Sequence, residues 1–391
     1  MKIVHVIDYF APQLGYHEKF LPTEHLKMGH DVCVITSDRH DPLLWPSAAK
    51  LLLGDRIKDT GFFMEEGIPT WRLKTKFERW PNIIWIAGLE RKIKELSPDV
   101  VIVHGIAKIS AVRVALLKKR QKKFKVVYDE HMTFDASRSR AKILYPLFRL
   151  LCSNLILTTA DGLVGTSNVS KLWMNKKYGF PLDSIRVIPL GADNILFRYD
   201  AFSRETTRKQ LSLEPDDLVF IYAGKLVAEK GPHVLVEAGI ILLRREYNMG
   251  IKILLVGNGP ATYVEMMEQL INAHSLTSSF IWHDLVPNEE LYKFYSAADV
   301  AIWPRQASLS MMEAMSTGLP IIISDDSEVT ERLEYGNGLT YKNEDAADLA
   351  HQMETLFDSD LRKKMGTQGR KLVDEKLSWS TLAKQFIDLV E

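Results

Sequence analysis

Residues 300–324 read VAIWPRQASLSMMEAMSTGLPIIIS. An apolar run, Val300–Trp303, stops at Pro304, and the polar turn Arg305–Gln306–Ala307–Ser308 leads into Leu309–Thr317. Gly318 and Pro320 close that stretch before Pro320–Ser324 turns apolar again. Two short β-branched runs on either side of a helix-length segment punctuated by Gly and Pro make a βαβ unit with parallel strands. Between Gln306 and Ser324 the one ionisable side chain is Glu313. A carboxylate on so apolar a helix is seldom buried unless paired, so it serves either a ligand or the N–H groups of a neighbouring loop.

The same rhythm extends in both directions. Ahead of this unit lie Leu218–Tyr222, Pro232–Arg245, Ile251–Val256, Ala261–Ala273, Phe280–Trp282 and Glu289–Ala297; the first half offers Lys2–Ile7, Lys19–Met28, Val32–Thr36, Val100–Val103, Ile106–Lys122 and Lys125–Tyr128. Alternation of this kind predicts the α/β class with two doubly wound parallel sheets, and 391 residues are enough for two domains. The polar segment Gly191–Pro215 reads as a hinge leading into a short helix. The expected division is 1–197, 198–377 and a C-terminal helix, 378–391, that crosses back to the first domain. Ligands of such sheets bind outside the carboxyl ends of the strands, so function is sought in the turns that follow strands.

Composition narrows the classes. The net charge is zero, yet residues 1–195 carry 30 basic against 20 acidic side chains and residues 196–391 carry 20 against 30. Residues 101–150 alone hold 12 basic and 3 acidic side chains. Such asymmetry predicts different partners for the two halves. Lys118, Lys119, Lys122, Lys123 and Lys125, with Arg138, Arg140 and Lys142 ahead of the apolar Ile143–Leu151, suit an anionic membrane surface. Aromatics for base stacking are sparse there, which argues against nucleic acid. The stretch Ile143–Leu157 is too short and too polar to span a bilayer. Cys33 and Cys152 are too few for a disulfide framework, and with no signal peptide the expected place is the cytoplasm, peripheral on the inner face of the cell membrane.

The strand-end turns carry the chemistry. Ala223–Gly224–Lys225 is followed by Glu229–Lys230–Gly231–Pro232. Gly224 permits a tight turn, and two lysines at a strand end and a helix start resemble a diphosphate clamp. Val256–Gly257–Asn258–Gly259–Pro260 lacks the third glycine of a dinucleotide fingerprint, because Thr262 stands there. In the first half His104 and His131 each follow a strand, and Gly15 in Pro12–Gln13–Leu14–Gly15–Tyr16 allows close backbone approach. Asp358–Ser359–Asp360 has the spacing of a metal-binding DxD but reads as a helix N-cap.

Taken in order, LKMGHDVCVIT, the DEH turn, VIPLGAD with Phe197, YAGKLVAEKG, LLVGNGP, YSAADVAIWP and MEAMSTGLPIIIS followed by NGL resemble the retaining GT-B glycosyltransferases of the large fourth family, which builds bacterial polysaccharides and glycolipids. The resemblance implies two Rossmann-like domains facing across a cleft. It implies transfer of a sugar from a nucleoside diphosphate sugar, UDP favoured, to a glycan or lipid-linked acceptor, with no cofactor and no metal. Lys225 and Lys230 would bind the diphosphate, Glu313 the ribose, His131 the donor sugar, and Gly15 would lie near the phosphates. Gly224, Gly257, Leu285, Arg305, Ser308 and Leu309 complete the implied nucleotide-sugar set. The family usually has a glutamate at Arg305 and Gly–Phe–Gly at Gln306–Ala307–Ser308, a second glycine at Tyr16 and Asn at Leu190. A guanidinium at position 305 would suit an acidic donor sugar; otherwise it would face solvent or reinforce the phosphate clamp. Two alternatives stand beside transfer: a nucleotide-sugar epimerase or hydrolase, and a non-catalytic nucleotide-sugar-binding module.

Overall fold

Strands such as Val100–His104 and Leu218–Ala223 are buried at every position, the pattern of parallel strands covered by helices on both faces. The computed structural model describes residues 1–14, 17–42, 50, 53–79, 83–132, 141–245, 247–306, 308–327 and 329–391. The chain divides into two units, Met1–Leu190 with Trp379–Glu391, and Gly191–Ser378.

In the first unit the strands are β1 (Lys2–Val6), β2 (Asp31–Ser37), β3 (Gly61–Glu65), β4 (Ile68–Leu73), β5 (Thr75–Arg79), β6 (Ile83–Ile86), β7 (Val100–His104), β8 (Lys125–Glu130), β9 (Gly162–Gly165) and β10 (Ile185–Val187). Eight of them form one sheet in the order β10-β9-β8-β7-β1-β2-β4-β3. All its pairings are parallel except β3 with β4, and β5 and β6 make a separate antiparallel ribbon. The strand order reverses on either side of β1, between β2 and β7. Sequence periodicity did not announce β3, β5 and β6, because Phe62, Phe63 and Met64 in β3, Phe77 in β5 and Trp85 in β6 are exposed to solvent, which removes the buried run on which strand recognition depends.

The second unit is a six-stranded parallel sheet of β11 (Leu218–Ala223), β12 (Ile251–Val256), β13 (Phe280–His283), β14 (Val300–Trp303), β15 (Ile321–Ser324) and β16 (Gly338–Tyr341), in the order β13-β12-β11-β14-β15-β16. Its reversal lies between β11 and β14. The division falls at residue 190, ahead of the expected 197, because Ala192 and Phe197 are buried in the second core. Within 191–215 the expected short helix is present. Asp200 caps helix Ala201–Gln210, accepting from Ser203 N at 2.7 Å. The buried Arg208 guanidinium donates to the carbonyls of Ala297, Glu214, Pro215 and Asp217.

Asp358 Oδ1 accepts from the backbone N–H groups of Asp360 and Leu361 at 2.9 and 3.1 Å, so the DxD spacing is the N-cap of helix Ser359–Leu372. The final helix, Trp379–Asp388, belongs to the first unit. Trp379 stacks on Phe20 with ring centroids 5.1 Å apart, and His25 Nε2 donates to the Ala383 carbonyl at 3.1 Å. Phe386 is 2% exposed. Truncating so buried an aromatic ring costs about 3–5 kcal/mol. Phe386→Ala therefore lowers hydrogen-exchange protection across the first unit and leaves the second unit's protection unchanged.

Candidate functional site

In the second unit the site is built where the strand order reverses. The β11 and β12 turns are joined by main-chain bonds: Gly224 N–H to Val256 O at 3.0 Å and Leu226 N–H to Asn258 O at 2.9 Å. A Cβ on Gly257, whose φ is +145°, would come 1.9 Å from Gly224 O, and one on Gly259 would come 1.8 Å from Leu226 O. The glycines of Gly257–Asn258–Gly259 are thus there to let two turns touch. Tyr222 Oη donates to Lys225 O at 2.8 Å and fixes the lysine turn from below.

Lys225 is exposed, while Lys230 is half-buried and donates from Nζ to Gln306 O at 3.3 Å. Burial and then the neighbouring Lys225 charge lower the Lys230 pKa from the ordinary ammonium value. Immediately after it, Gly231 adopts φ +72° and Pro232 opens helix Pro232–Leu243. Helix Leu309–Ser316 starts alongside: Ser310 Oγ donates to Ala223 O at 3.0 Å and accepts from Trp303 Nε1 at 3.2 Å, with Ser308 Oγ 2.6 Å away. Two cations and two helix N-termini therefore converge on the ends of β11 and β14, an arrangement that attracts an anion.

Arg305 does not stand free. Its Nε is bonded to Glu344 and its Nη1 donates to Ala228 O at 2.8 Å. The carboxylate expected from an acidic donor sugar is supplied by Glu344 of the chain itself, and Arg305 braces the turn that carries Lys230.

Glu313 is 3% exposed. Its Oε1 accepts from Asn288 Nδ2 at 2.9 Å, and its Oε2 is buried without a hydrogen-bond partner. Burial pushes its pKa up to about 7; Asn288 opposes the rise and Asp193 adds to it. An unpartnered buried carboxylate oxygen is costly and is ready to accept hydroxyl donors. Leu285 is 61% exposed, between β13 and Asn288.

In the first unit the turns after β7 and β8 meet around Asp129, which is fully buried. His104 Nδ1, His17 Nε2 and His131 Nε2 lie 2.8, 3.2 and 3.6 Å from its Oδ2. Burial would raise the Asp129 pKa, but the histidines, His104 foremost, hold it well below the carboxylate range. Burial would lower His131, but Asp129 first, then Glu18 and Glu130, raise it. Glu130 Oε1 accepts from the N–H groups of His131 and Met132 at 3.0 and 3.2 Å and so sets the turn. Behind His104 runs a buried imidazole chain: His104 Nε2 to His5 Nδ1 at 3.0 Å, and His5 Nε2 to His25 Nδ1 at 3.2 Å.

Of the residues singled out in the sequence, Gly224, Lys225, Lys230, Gly257, Arg305, Ser308, Leu309 and Glu313 come together in the second unit, and His131 belongs to the first. Gly15 and Tyr16, Ala307, and Arg138 and Arg140 lie outside the described residues. Sequence reasoning missed Asn288 and Glu344, polar residues in polar turns with no pattern of their own. It also missed His17, His5 and His25, whose grouping arises only when β1, β7 and β8 pair.

Residues 203–372 match the family "Glycosyl transferases group 1" and residues 23–194 match "Glycosyltransferase Family 4". A D-inositol 3-phosphate glycosyltransferase of Nocardia farcinica is 28% identical over 229 residues, which are 56% of this chain and 50% of that protein. The chain thus spans about half the length of that curated relative. Among solved structures, Alr3699/HepE of Anabaena in complex with UDP superposes with a TM-score of 0.75 at 16% identity, covering 99% of both chains. Sucrose-phosphate synthase of Thermosynechococcus elongatus superposes at 0.72 with 20% identity, over 99% of this chain and 98% of that one.

The Glu313 environment sets a pH dependence. A carboxyl group whose folded pKa of about 7 exceeds its ordinary 4.5 stabilises the fold in its neutral form, so stability is highest below the unfolded value and is lost as pH rises through about 7. Above that pH the unliganded protein carries a penalty of about 3 kcal/mol. Glu313→Gln, neutral and isosteric, therefore melts at a higher temperature than the native chain at pH 8, and the difference closes only once the pH falls below the ordinary carboxyl value of 4.5. Equal melting temperatures at pH 8 contradict the assignment.

Proposed function

Since the chain belongs to the fourth glycosyltransferase family and has its GT-B fold, we propose that it transfers a sugar from a nucleoside diphosphate sugar, UDP favoured, to a glycan or lipid-linked acceptor. Transfer proceeds with retention of anomeric configuration and without a divalent cation at the diphosphate. The observation that carries this reading is the convergence of Lys225, Lys230 and the starts of helices Pro232–Leu243 and Leu309–Ser316 at one strand-order reversal.

The chemistry follows from those groups. As the bond between the sugar and the diphosphate breaks, negative charge grows on the leaving phosphate, and cations and N–H dipoles already in place stabilise it without reorganising. The depressed Lys230 pKa marks an ammonium short of anionic partners, and an arriving diphosphate supplies one. Glu313 Oε2, buried and unpartnered, suits the ribose hydroxyls. His131, raised in pKa by Asp129 and still 32% exposed, suits a donor-sugar hydroxyl. The nucleotide assignment is supported by the solved neighbour that holds UDP.

The acceptor side is assigned to the first unit and to an anionic surface. Lys118, Lys119, Lys122, Lys123 and Lys125 line an open cavity of about 580 Å³ with Thr158 and Thr159. Asp161 neutralises part of it by pairing with Lys118 and Lys125, while Lys119, Lys122 and Lys123 are exposed. Thr158 and Thr159 belong to helix Ser153–Thr159 or its end, which packs on helix Ala141–Leu151. There Leu147, Leu150 and Leu151 are 51%, 80% and 66% exposed. Basic residues bordering an exposed apolar face fit an anionic leaflet. No helix among the described residues is long and apolar enough to cross a membrane.

Two measurements check this reading. Removing a charge-assisted bond costs roughly 1.5–3 kcal/mol, so Lys230→Ala weakens UDP binding about 10- to 150-fold by titration calorimetry, and turnover is the same with or without added Mg²⁺ or Mn²⁺. Wild-type affinity in that variant, or a strict need for the added cation, overturns the clamp. Co-sedimentation with vesicles requires anionic lipid, weakens as salt rises and falls when Lys119, Lys122 and Lys123 become Glu. No binding to anionic vesicles at low salt removes the membrane assignment.

A further inference from the structure

We propose that His17, His104, Asp129 and His131, all of the first unit, form a site for a transition-metal ion of the zinc class. The inference goes beyond the glycosyl-transfer reading and does not rest on it; with Nε2 on the metal, His131 would offer a donor-sugar hydroxyl its Nδ1–H alone.

The geometry comes first. One ligand atom from each of the four residues lies within 4.8 Å of all the others. The three ring nitrogens stand 2.8, 3.2 and 3.6 Å from Asp129 Oδ2. Four ligands about 2.0–2.1 Å from a tetrahedral zinc ion are separated from one another by about 3.3 Å, which the three distances to Asp129 Oδ2 bracket. Three imidazoles and one carboxylate also form a donor set matched to zinc and its neighbours rather than to magnesium or calcium.

Hydrogen bonding is the second argument. His104 Nδ1 and His131 Nε2 approach the carboxylate oxygen, yet neither has a hydrogen-bond partner, and His104 is 2% exposed in its side chain. The imidazole chain behind His104 shows why. The Ala383 carbonyl can only accept, so His25 Nε2 carries a proton and, in a neutral ring, His25 Nδ1 does not. His5 Nε2 must then donate to His25, and His104 Nε2 must donate to His5. That order leaves His104 Nδ1 as a bare lone pair aimed at a carboxylate oxygen 2.8 Å away. Two lone pairs at that distance repel unless a proton or a metal ion lies between them, and the donor set decides which the site is built for. The second shell has the form expected around a metal: His5 fixes the His104 tautomer, and the Gly105 N–H donates to Asp129 Oδ1 at 3.3 Å. His131 is the solvent-facing member, 32% exposed against 5%, 2% and 0% for His17, His104 and Asp129, and so marks the way in.

The test is metal binding itself. Protein carrying a tag free of histidine is loaded with Zn²⁺, desalted and analysed by mass spectrometry, and it retains about one equivalent. The stripped protein titrated with Co²⁺ develops the visible absorption of a tetrahedral site, and Zn²⁺ raises its melting temperature. Asp129→Asn and His104→Gln abolish retention. His5→Ala, one shell out, weakens the metal about 10- to 100-fold, and His351→Gln, on the surface of the other unit, changes nothing. Should the Asp129 variant fail to fold, the cobalt spectrum and zinc retention of the native chain decide alone. A native chain that retains no zinc, shows no cobalt band and melts unchanged overturns the proposal. UDP affinity of the metal-free protein is measured in parallel. Intact UDP binding without metal leaves the clamp standing, and loss of transfer with metal retained counts against the glycosyl-transfer reading alone.

Discussion

Neighbouring parallel strands cannot be joined by a hairpin; each connection must cross back over a face of the sheet. Every strand then ends on the same edge, and where the strand order reverses, successive crossovers leave on opposite faces and open a crevice at that edge. Both units of this protein obey this constraint. In the second, the reversal between β11 and β14 places Lys225, Arg305 and the start of helix Leu309–Ser316 side by side, although 80 residues separate Lys225 from Arg305 in the chain. In the first, the reversal beside β1 gathers His5, His104 and Asp129.

Two buried carboxylates in these crevices have opposite electrostatic characters, and their neighbours account for the difference. Asp129 is ringed by three imidazoles and held ionised. Glu313, on a largely apolar helix with one amide as partner, has its pKa pushed up by burial to about 7, so that it titrates near neutral pH. The rule at work is that desolvation favours the neutral form and opposite charge the ionised one. It gives the first unit a site that attracts cations and the second a carboxyl group that both accepts and donates hydrogen bonds.

The lysine turn has a different support. Arg305 pairs with Glu344, which neutralises the guanidinium beside the lysine turn. Through its bond to Ala228 O the same guanidinium holds the segment Ala228–Lys230. Gly231 lies beneath it, where a Cβ would approach Arg305 Cγ to 2.8 Å. Loop position, glycine and cation are thus a single packing solution.

The amino-acid sequence by itself determined the α/β class and the strand-end turns. β12 and β14 and helix Ala261–Ala273 match their expected limits, because runs such as Ile251–Val256 bury nearly every residue and leave a pattern independent of partners. Glu313 was legible for the same reason, as the one charge in an apolar helix. Tertiary structure decided what local pattern does not encode. β3, β5 and β6, which expose apolar side chains, exist because β3 pairs with β4 and β5 with β6, so their side chains need not be apolar in alternation. The second unit begins at Gly191 because Ala192 and Phe197 enter its core. Asn288, Glu344 and the four residues around Asp129 acquire meaning only in three dimensions, since a hydrogen bond or a ligand set depends on angles and distances between atoms far apart in the chain, and sequence spacing carries no record of them.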